Sequence, residues 1–216
     1  MFITKLNNAG LVVSTAGTSI AVDIGKDVPA VDVAALAVDA VFISHIHADH
    51  FDLINLETLA RPVHGPREVV QALAGSTVPV QKIEPGDHVR IGEIDVIART
   101  VDHGPISAPI VNLGFEISTS DHRVWFAGDI ARDTEPLPDE PVDMILIPVG
   151  GGKVFDPAAA VTYARRFKGA TVVPIHFDYS MAALLEFCER AQLAGLDIVP
   201  AGIREQVAVT SGKATL

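Results

Sequence analysis

The stretch Phe42-Ile43-Ser44-His45-Ile46-His47-Ala48-Asp49-His50 decides how this chain is organised. It holds three histidines and one aspartate within six residues, directly after an apolar run typical of a β-strand. Imidazole nitrogens and carboxylate oxygens are the ligands that zinc, manganese and iron take from proteins. Side chains alternate along a strand, so His45 and His47 are predicted to share one face and one metal ion. Asp49 and His50 lie past the strand end, where they can reach a second ion. The alternative is a polar loop that is rich in histidine by chance.

Three further motifs follow in a fixed order. They are Thr100-Val101-Asp102-His103-Gly104, Phe126-Ala127-Gly128-Asp129 and Pro174-Ile175-His176-Phe177. Together with the His-x-His-x-Asp-His pattern, they resemble the signature of the metallo-β-lactamase-fold hydrolases. The resemblance runs from the first predicted hairpin to at least His176.

Two other segments resemble one branch of that superfamily, which contains the L-ascorbate-6-phosphate lactonases and uncharacterised metal-dependent hydrolases. They are residues 8–12, and residues 147–152 followed by 156–160. Many members of the branch have His where this chain has Asn8, and Thr-Met where it has Val154-Phe155. The resemblance implies substrate contacts at both places, so the substrate does not carry over.

The resemblance implies an α/β fold: a four-layered αββα sandwich in which two mixed β-sheets are flanked by helices. At 216 residues and 49% apolar content, the chain suits one domain spanning residues 1–216. We expect the two sheets to come from two β-rich halves, about residues 1–120 and 110–210. The motif at His45 would occupy a strand-to-helix loop, a usual place for chemistry in α/β folds.

The resemblance also implies a binuclear metal centre. His45, His47 and His103 would bind one ion, Asp49, His50 and His176 would bind the other, and Asp129 would bridge both. The expected cofactors are two divalent metal ions per chain, zinc first, with manganese and iron as alternatives. A hydroxide held between the ions would be the nucleophile, and Asp49 would orient it and accept its proton.

The expected activity is hydrolysis of a small ester, lactone or phosphoester. Two alternatives stay open. One is a non-catalytic metal- or ligand-binding member of the fold, although all seven predicted ligands are present. The other is a di-iron redox protein. Members of that kind resemble His-x-Glu-x-Asp at the first motif, and this chain has His47 at the Glu position.

The composition of the chain limits the kinds of binding partner that we expect. A net charge of −11 argues against a nucleic-acid surface, which should be basic. Bound divalent ions would still make the site attractive to an anionic small molecule. The single cysteine, Cys188, is expected to be a small core residue on a helix. No apolar run is long enough to span a membrane, and no signal peptide is apparent, so we expect a cytoplasmic enzyme. A homo-oligomer is possible.

Other residues have two possible roles. Asp23 is either a turn residue that caps a backbone amide or a carboxylate that supports the metal ligands. Gly150, Gly151 and Gly152 could bind substrate through backbone N–H groups or serve tight packing. His64, His88 and His122 are expected to be structural or solvated. Residues 104–110, which contain two prolines, are a candidate substrate wall.

The remaining elements follow from local patterns. Residues 1–24 predict a β-meander, and Asp52 and Asp156 are predicted to begin helices. A further helix is predicted from four apolar residues at helical spacing, Met181, Leu184, Leu185 and Cys188. Residues 197–209 are predicted to return as a strand.

Overall fold

The computed structural model describes residues 1–104, 110–133 and 137–211. Its strands are β1 Phe2–Lys5, β2 Leu11–Ser14, β3 Ser19–Val22, β4 Ala40–Phe42, β5 Val63–Gly65, β6 Val80–Lys82, β7 His88–Ile91, β8 Ile94–Thr100, β9 Leu113–Ser118, β10 Arg123–Phe126, β11 Met144–Pro148, β12 Thr171–Ile175 and β13 Gln206–Ala208. Its helices are α1 Ala30–Ala35, α2 Leu53–Leu59, α3 Arg67–Ala72, α4 Pro157–Ala164 and α5 Met181–Leu193.

The strands form two mixed sheets. The first has seven strands in the order β13-β1-β2-β3-β4-β5-β6, and the second has six in the order β12-β11-β10-β9-β8-β7. In the first sheet, β1 to β3 are antiparallel, whereas β3 to β6 run parallel. In the second, β10 to β12 run parallel and the others are antiparallel. Two parallel runs, one in each sheet, therefore carry the strand ends from which the first and last motifs emerge.

Three apolar clusters separate four layers. One cluster lies between the sheets and includes Leu11, Phe42 and Phe115. A second packs the outer face of the second sheet against α4 and α5, and a third packs the first sheet against α1, α2 and α3. The predicted four-layered αββα sandwich, with two mixed sheets flanked by helices, is thus confirmed.

Local signals place several elements as predicted. Asp52 begins α2 and accepts a hydrogen bond from the Asn55 backbone N–H at 2.9 Å. Asp156 begins α4 and accepts one from the Ala159 N–H at 2.8 Å. Each aspartate satisfies a backbone donor that the first helical turn leaves free. Both helices follow loops that the resemblance implies in the site, so the caps help to fix where those loops end.

The division of the strands between sheets differs from the expectation. Strands β7 and β8, within residues 88–100, belong to the second sheet, because β8 pairs with β9 along six residues. The last strand, β13, returns to the first sheet beside β1. Only Gln206–Ala208 of the predicted strand 197–209 is a strand, with one isolated bridge from Ile198 to Val172. Pairing partners across the chain, rather than local pattern, decide these assignments.

The apolar face of α5 also differs. Phe187 and Ala191 are its fully buried residues, and Leu184 and Cys188 pack at the edge of the same cluster. Met181 and Leu185 are 58% and 66% exposed. The buried face of α5, which packs in the same cluster as α4, is therefore rotated relative to the predicted stripe.

Across the described ranges, no helix combines the length and the apolar character that crossing a membrane requires.

Candidate metal centre

The predicted ligands converge where loops leave both sheets. The loop after β4 carries residues 45–50, β8 leads to His103, β10 leads to Asp129, and β12 ends just before His176. The Leu113 N–H donates to the Ser44 carbonyl at 3.1 Å and so joins the two sheets beside the site. Four chain segments from two sheets thus meet at one place.

The first group of side chains contains His45, His47, His103 and Asp129. The His45 Nε2 lies 3.0 Å from His47 Nδ1, and His103 Nε2 lies 3.2 Å from the same nitrogen. Asp129 Oδ2 is 3.4 Å from His103 Nε2 and 3.8 Å from His45 Nε2. Three imidazole nitrogens and one carboxylate oxygen therefore face a common point.

The second group contains Asp49, His50, His176 and the same Asp129. The His50 Nε2 lies 3.1 Å from Asp129 Oδ1 and 3.6 Å from Asp49 Oδ2. The His176 Nε2 lies 3.2 Å from Asp49 Oδ2 and 3.4 Å from Asp129 Oδ2. Asp129 thus belongs to both neighbouring groups.

These distances fit small divalent cations. Four atoms placed tetrahedrally at about 2.0–2.1 Å from a zinc ion stand about 3.3 Å from one another. In each group, all candidate ligand atoms lie within 4.8 Å of one another. The His50 Nε2 and the Asp129 Oδ1 are buried and lack a well-oriented hydrogen bond, although only 3.1 Å separates them. Buried polar atoms without partners are costly, and a cation between them would satisfy both.

Asp23 supports the second group from behind. Its Oδ2 accepts from His50 Nδ1 at 2.7 Å and from the Ser44 hydroxyl at 2.7 Å, and its Oδ1 accepts from the Ser44 backbone N–H at 2.7 Å. Asp23 and His50 are both fully buried. A proton held on Nδ1 leaves the His50 Nε2 lone pair free for a metal. Of the two roles weighed for Asp23, the geometry matches support of a ligand, and it also shows the backbone amide contact.

Two other ligands are oriented in the same way. The His45 Nδ1 lies 3.0 Å from the Ser44 hydroxyl, which already donates its proton to Asp23, so the imidazole N–H is the donor. The His103 Nδ1 lies 3.1 Å from the Lys153 carbonyl, which can only accept. Each contact puts the ring proton on Nδ1 and leaves Nε2 toward the centre.

The electrostatics of the site favour positive charge. Burial opposes a charged imidazole at His50, but Asp129 and Asp23 raise the pKa of His50 well above its ordinary value. Burial likewise opposes charge at His176, yet Asp129 raises its pKa to about 9. Burial and the neighbouring His50 hold the pKa of His45 well below its usual range, and burial and His103 lower that of His47. The carboxylates thus draw protons onto His50 and His176 of the second group, whereas His45 and His47 of the first group are neutral nitrogen donors.

The backbone around the site adopts conformations that few residues tolerate. Asn8, Asp23 and His176 have φ angles of 54°, 54° and 57°, three of the five non-glycine residues with positive φ in the described ranges. A Cβ added to Gly25 would lie 2.1 Å from the Asp49 carbonyl, so the loop that carries four of the candidate ligands passes directly over this glycine. Strain of this kind collects at functional sites.

The three glycines after β11 differ in their surroundings. A Cβ on Gly150 would lie 2.2 Å from the His176 carbonyl oxygen, so this residue permits close packing against a ligand. The Gly151 N–H donates to the Phe155 carbonyl at 2.9 Å and is therefore used within the turn. Gly152 is exposed, with a φ of 74°. Of the three glycines, Gly152 is the most exposed.

The remaining candidates lie outside the two groups. Val154 and Phe155 are buried, with Phe155 packed in the cluster under α4, so substrate contact is not the role that the structure gives them. His64 is buried and stacks on Phe42. His88 pairs with Asp95 at the surface, and His122 lies at the β9–β10 turn. Residues 105–109 of the predicted substrate wall lie outside the described residues.

Three supporting contacts escaped the sequence analysis, which named Asn8 only as a place where the resemblance implies substrate contact. Ser44 links Asp23 to His45, Lys153 offers its carbonyl to His103, and Asn8 donates from its Nδ2 to Asp49 Oδ2 at 3.0 Å. Ser44 adjoins the motif, which was the one available signal. Lys153 acts through its backbone, and Asn8 lies 41 residues from Asp49, so side-chain type and spacing revealed neither contact.

Comparison with known proteins places the fold and the motifs in one family. A family model described as "Beta-lactamase superfamily domain" matches residues 2–176, which include both ligand groups. A curated relative, a UPF0173 metal-dependent hydrolase from Methanoculleus marisnigri, is 29% identical over 151 residues, covering 65% of this chain and 66% of the relative.

Solved structures of low sequence identity share the fold. Igni18, described as a novel metallo hydrolase from the archaeon Ignicoccus hospitalis, superposes with a TM-score of 0.78 at 18% identity, covering 95% of this chain and 97% of that one. CmlA, a diiron β-hydroxylase from Streptomyces venezuelae, gives 0.75 at 14% identity, covering 95% of this chain and 53% of that one. The same fold therefore occurs in a protein described as a hydrolase and in one described as a hydroxylase.

Proposed function

The chain belongs to the β-lactamase superfamily, and on that premise we propose that it is a binuclear metal-dependent hydrolase of small esters, lactones or phosphoesters. The observation that carries the proposal is the shared carboxylate of Asp129, whose two oxygens face two adjacent groups of nitrogen and oxygen donors. A single-metal site would need only one of these groups.

The residues fit two divalent cations, with His45, His47 and His103 on one side, Asp49, His50 and His176 on the other, and Asp129 between them. Bound there, such ions would lower the pKa of a water molecule and polarise the bond under attack. All-nitrogen and oxygen donor sets suit zinc, and also manganese or iron.

Asp49 is the proposed acid–base group. Its side chain remains partly exposed, at 25%, whereas the Asp129 side chain is only 3% exposed. The hydrogen bond from His176 and the charge of His50 outweigh burial and hold the pKa of Asp49 below its usual range. The carboxylate is therefore charged at neutral pH, oriented, and open to a proton released by an attacking nucleophile.

The charge of the site suits a reaction in which negative charge develops on oxygen. Asp23, Asp49 and Asp129 would offset three of the four positive charges that two divalent ions bring, leaving one. A net positive, partly enclosed site stabilises an oxyanion more than the neutral ground state. Ester, lactone and phosphoester hydrolysis all develop such charge, and the resemblance to the lactonase-containing branch supports these substrates.

An oxidative di-iron role is the competing reading, because the fold of CmlA matches this chain. The first group argues for hydrolysis instead. It offers three imidazole nitrogens, at His45, His47 and His103, and its one carboxylate is shared. His47 occupies the position where the di-iron pattern has glutamate.

The test is hydrolysis by metal-depleted protein to which single metals are restored. The panel would contain a small carboxylic ester, a lactone, a phosphomonoester and a phosphodiester. We expect turnover of at least one substrate with zinc or manganese, its loss on chelation, and unchanged turnover in the surface variant His88→Ala. Metal-loaded protein that cleaves no member of the panel but consumes oxygen with a reductant would contradict hydrolysis and favour the di-iron reading.

A further inference from the structure

Asn8 occupies an unusual position between β1 and β2. Its side chain is fully buried, and its backbone has a φ of 54°, in the left-handed region that asparagine tolerates better than most residues. Hydrogen bonds from Leu6 N–H to the Gly10 carbonyl at 2.8 Å and from Gly10 N–H to the Asn7 carbonyl at 2.9 Å close the turn around it. The residue is therefore held in one conformation.

Asn8 contacts two of the four ligands of the second group. Its Nδ2 donates to Asp49 Oδ2 at 3.0 Å, and its backbone carbonyl accepts from the His176 N–H at 3.2 Å. A charged carboxylate only accepts hydrogen bonds, so the amide must present its NH₂ group to Asp49. Within the described ranges, no hydrogen bond joins Asn8 to His45, His47 or His103. Its influence should fall on one group and spare the other.

A second contact fixes the spacing between Asn8 and His176. The buried Lys5 ammonium, in the strand that precedes Asn8, donates to both oxygens of Asp178 at 3.1 and 3.0 Å and to the Leu6 carbonyl at 2.9 Å. Asp178 lies two residues after His176. These hydrogen bonds connect the segment that carries His176 to the end of β1, close to Asn8 in the sequence. They therefore help to hold His176 near Asn8.

The Asn8 Oδ1 is also buried and has no hydrogen-bond partner. The Nδ2 contact with Asp49 is consequently the one hydrogen bond of this amide that the structure shows. A residue retained for packing alone would not need to bury an amide with half of its capacity unused. The side chain is best explained by what it does to Asp49.

We propose that Asn8 is the positioning residue of the second metal group: it orients the Asp49 carboxylate and fixes its distance from His176. The inference rests on the proposed function in that these residues bind metal. Partners that orient metal ligands typically change metal affinity by about 10–100-fold when they are removed.

The experiment measures the two groups separately. His47→Ala leaves the second group intact, and His176→Ala leaves the first. In each background, the affinity for Co²⁺ is measured by competition with a colorimetric chelator, and the Co²⁺ absorption spectrum is recorded. Asn8→Gly removes the amide while keeping the left-handed backbone, and Asn8→Asp keeps the shape but replaces the donor by an acceptor.

We expect Asn8→Gly to weaken Co²⁺ binding about tenfold in the His47→Ala background, and within twofold or not at all in the His176→Ala background. The matched control is Asn7→Ala, because the Asn7 side chain donates to the Asp27 carbonyl and not to a candidate ligand. This variant should leave Co²⁺ binding unchanged in both backgrounds. A merely structural role would weaken both groups equally or alter neither, and either result would overturn the inference.

The outcome is independent of catalysis. Protein that binds Co²⁺ with the expected selectivity but hydrolyses nothing would retain Asn8 in this role and remove the hydrolase proposal. If the His47→Ala and His176→Ala proteins, each with Asn8 intact, both failed to bind Co²⁺, the role of Asn8 would be overturned.

Discussion

Asp23 accepts a hydrogen bond from the Nδ1 of His50 at 2.7 Å, and both side chains are completely buried. This contact links the end of β3 to the second metal group. It keeps the His50 proton on Nδ1 and directs Nε2 toward Asp129. In the proposed metal centre, His50 would therefore depend on a residue that is not itself one of the candidate ligands.

Replacing Asp23 by asparagine should disable this arrangement without changing its shape. The amide can donate to Nδ1 and so stabilise the tautomer that carries its proton on Nε2, which cannot bind metal. We expect metal affinity of the second group to fall about 10–100-fold. Metal content after dialysis, measured by mass spectrometry, checks this.

The matched control is Asp95→Asn. Asp95 accepts from His88 at the same distance of 2.7 Å, but at the surface and away from the site. Metal content should be unchanged in this variant. Equal metal content in Asp23→Asn and Asp95→Asn would show that the buried contact has no role in metal binding.

Asp49→Ala should abolish hydrolysis because it removes both a ligand and the proposed proton acceptor. A general base typically contributes about 10²–10⁴-fold to the rate, so turnover should fall by at least about 100-fold. Circular dichroism must show that the variant remains folded, since metal binding is linked to folding. Activity within about tenfold of the parent would mean that Asp49 does not have this role.

Metal affinity should increase with pH. The pKa of His176 is about 9, and that of His50 is raised well above 6.5 in the metal-free site, so metal must displace protons at neutral pH. The proton displaced from His176 makes the affinity rise about tenfold per pH unit as the pH increases towards 9. Chelator competition at several pH values measures the slope. A flat profile would contradict protonated ligands.

The stability of the metal-free protein should change in the opposite direction. His176 has a folded-state pKa above its unfolded value of about 6.5. Its contribution to the free energy of unfolding is therefore fully present below pH 6.5 and is lost as the pH rises through 9. Urea unfolding after chelation should show this loss, and His176→Ala should remove that part of the dependence. A wild-type profile that is retained in His176→Ala would assign it to other groups.

Gly25→Ala should displace the ligand loop. An added Cβ would lie 2.1 Å from both the carbonyl carbon and oxygen of Asp49, a distance that requires backbone movement. We expect about 1–3 kcal/mol lower stability of the metal-free protein, together with reduced metal content.

Gly17→Ala is the control for this substitution, because its added Cβ meets nothing closer than 4.0 Å. Denaturant unfolding and metal analysis of both variants compare the two positions. Parent-like stability and metal content in Gly25→Ala would contradict the close approach of the loop.

The architecture and the candidate ligands could be predicted because four motifs in a fixed order carry a family resemblance. That resemblance implied the sandwich and the ligand set, and the apolar strands before the motifs agreed with it. The structure then brings all seven candidate residues together in the two expected groups. Asp52 and Asp156 were identifiable as helix starts because a cap depends only on residues three positions away.

Contacts between residues that lie far apart in the chain could not be predicted from the sequence. The rotation of α5 depends on packing against α4, and β7 and β8 join the second sheet through pairing with β9. Asn8 and Asp49 are 41 residues apart, and the spacing between Asp23 and His50 is 27, so neither contact leaves a local signal. Residue type also does not show which ring nitrogen faces the centre: His47 presents Nδ1 to the Nε2 atoms of His45 and His103.

The central claim is that Asp129 joins two metal sites, and metal stoichiometry tests it most directly. Native mass spectrometry of zinc-reconstituted protein should show two ions per chain for the parent and for His88→Ala, and loss of tight binding at both sites in Asp129→Ala. A parent chain with no bound metal after reconstitution, or an Asp129→Ala variant that still holds two tightly bound ions, would contradict the shared binuclear centre.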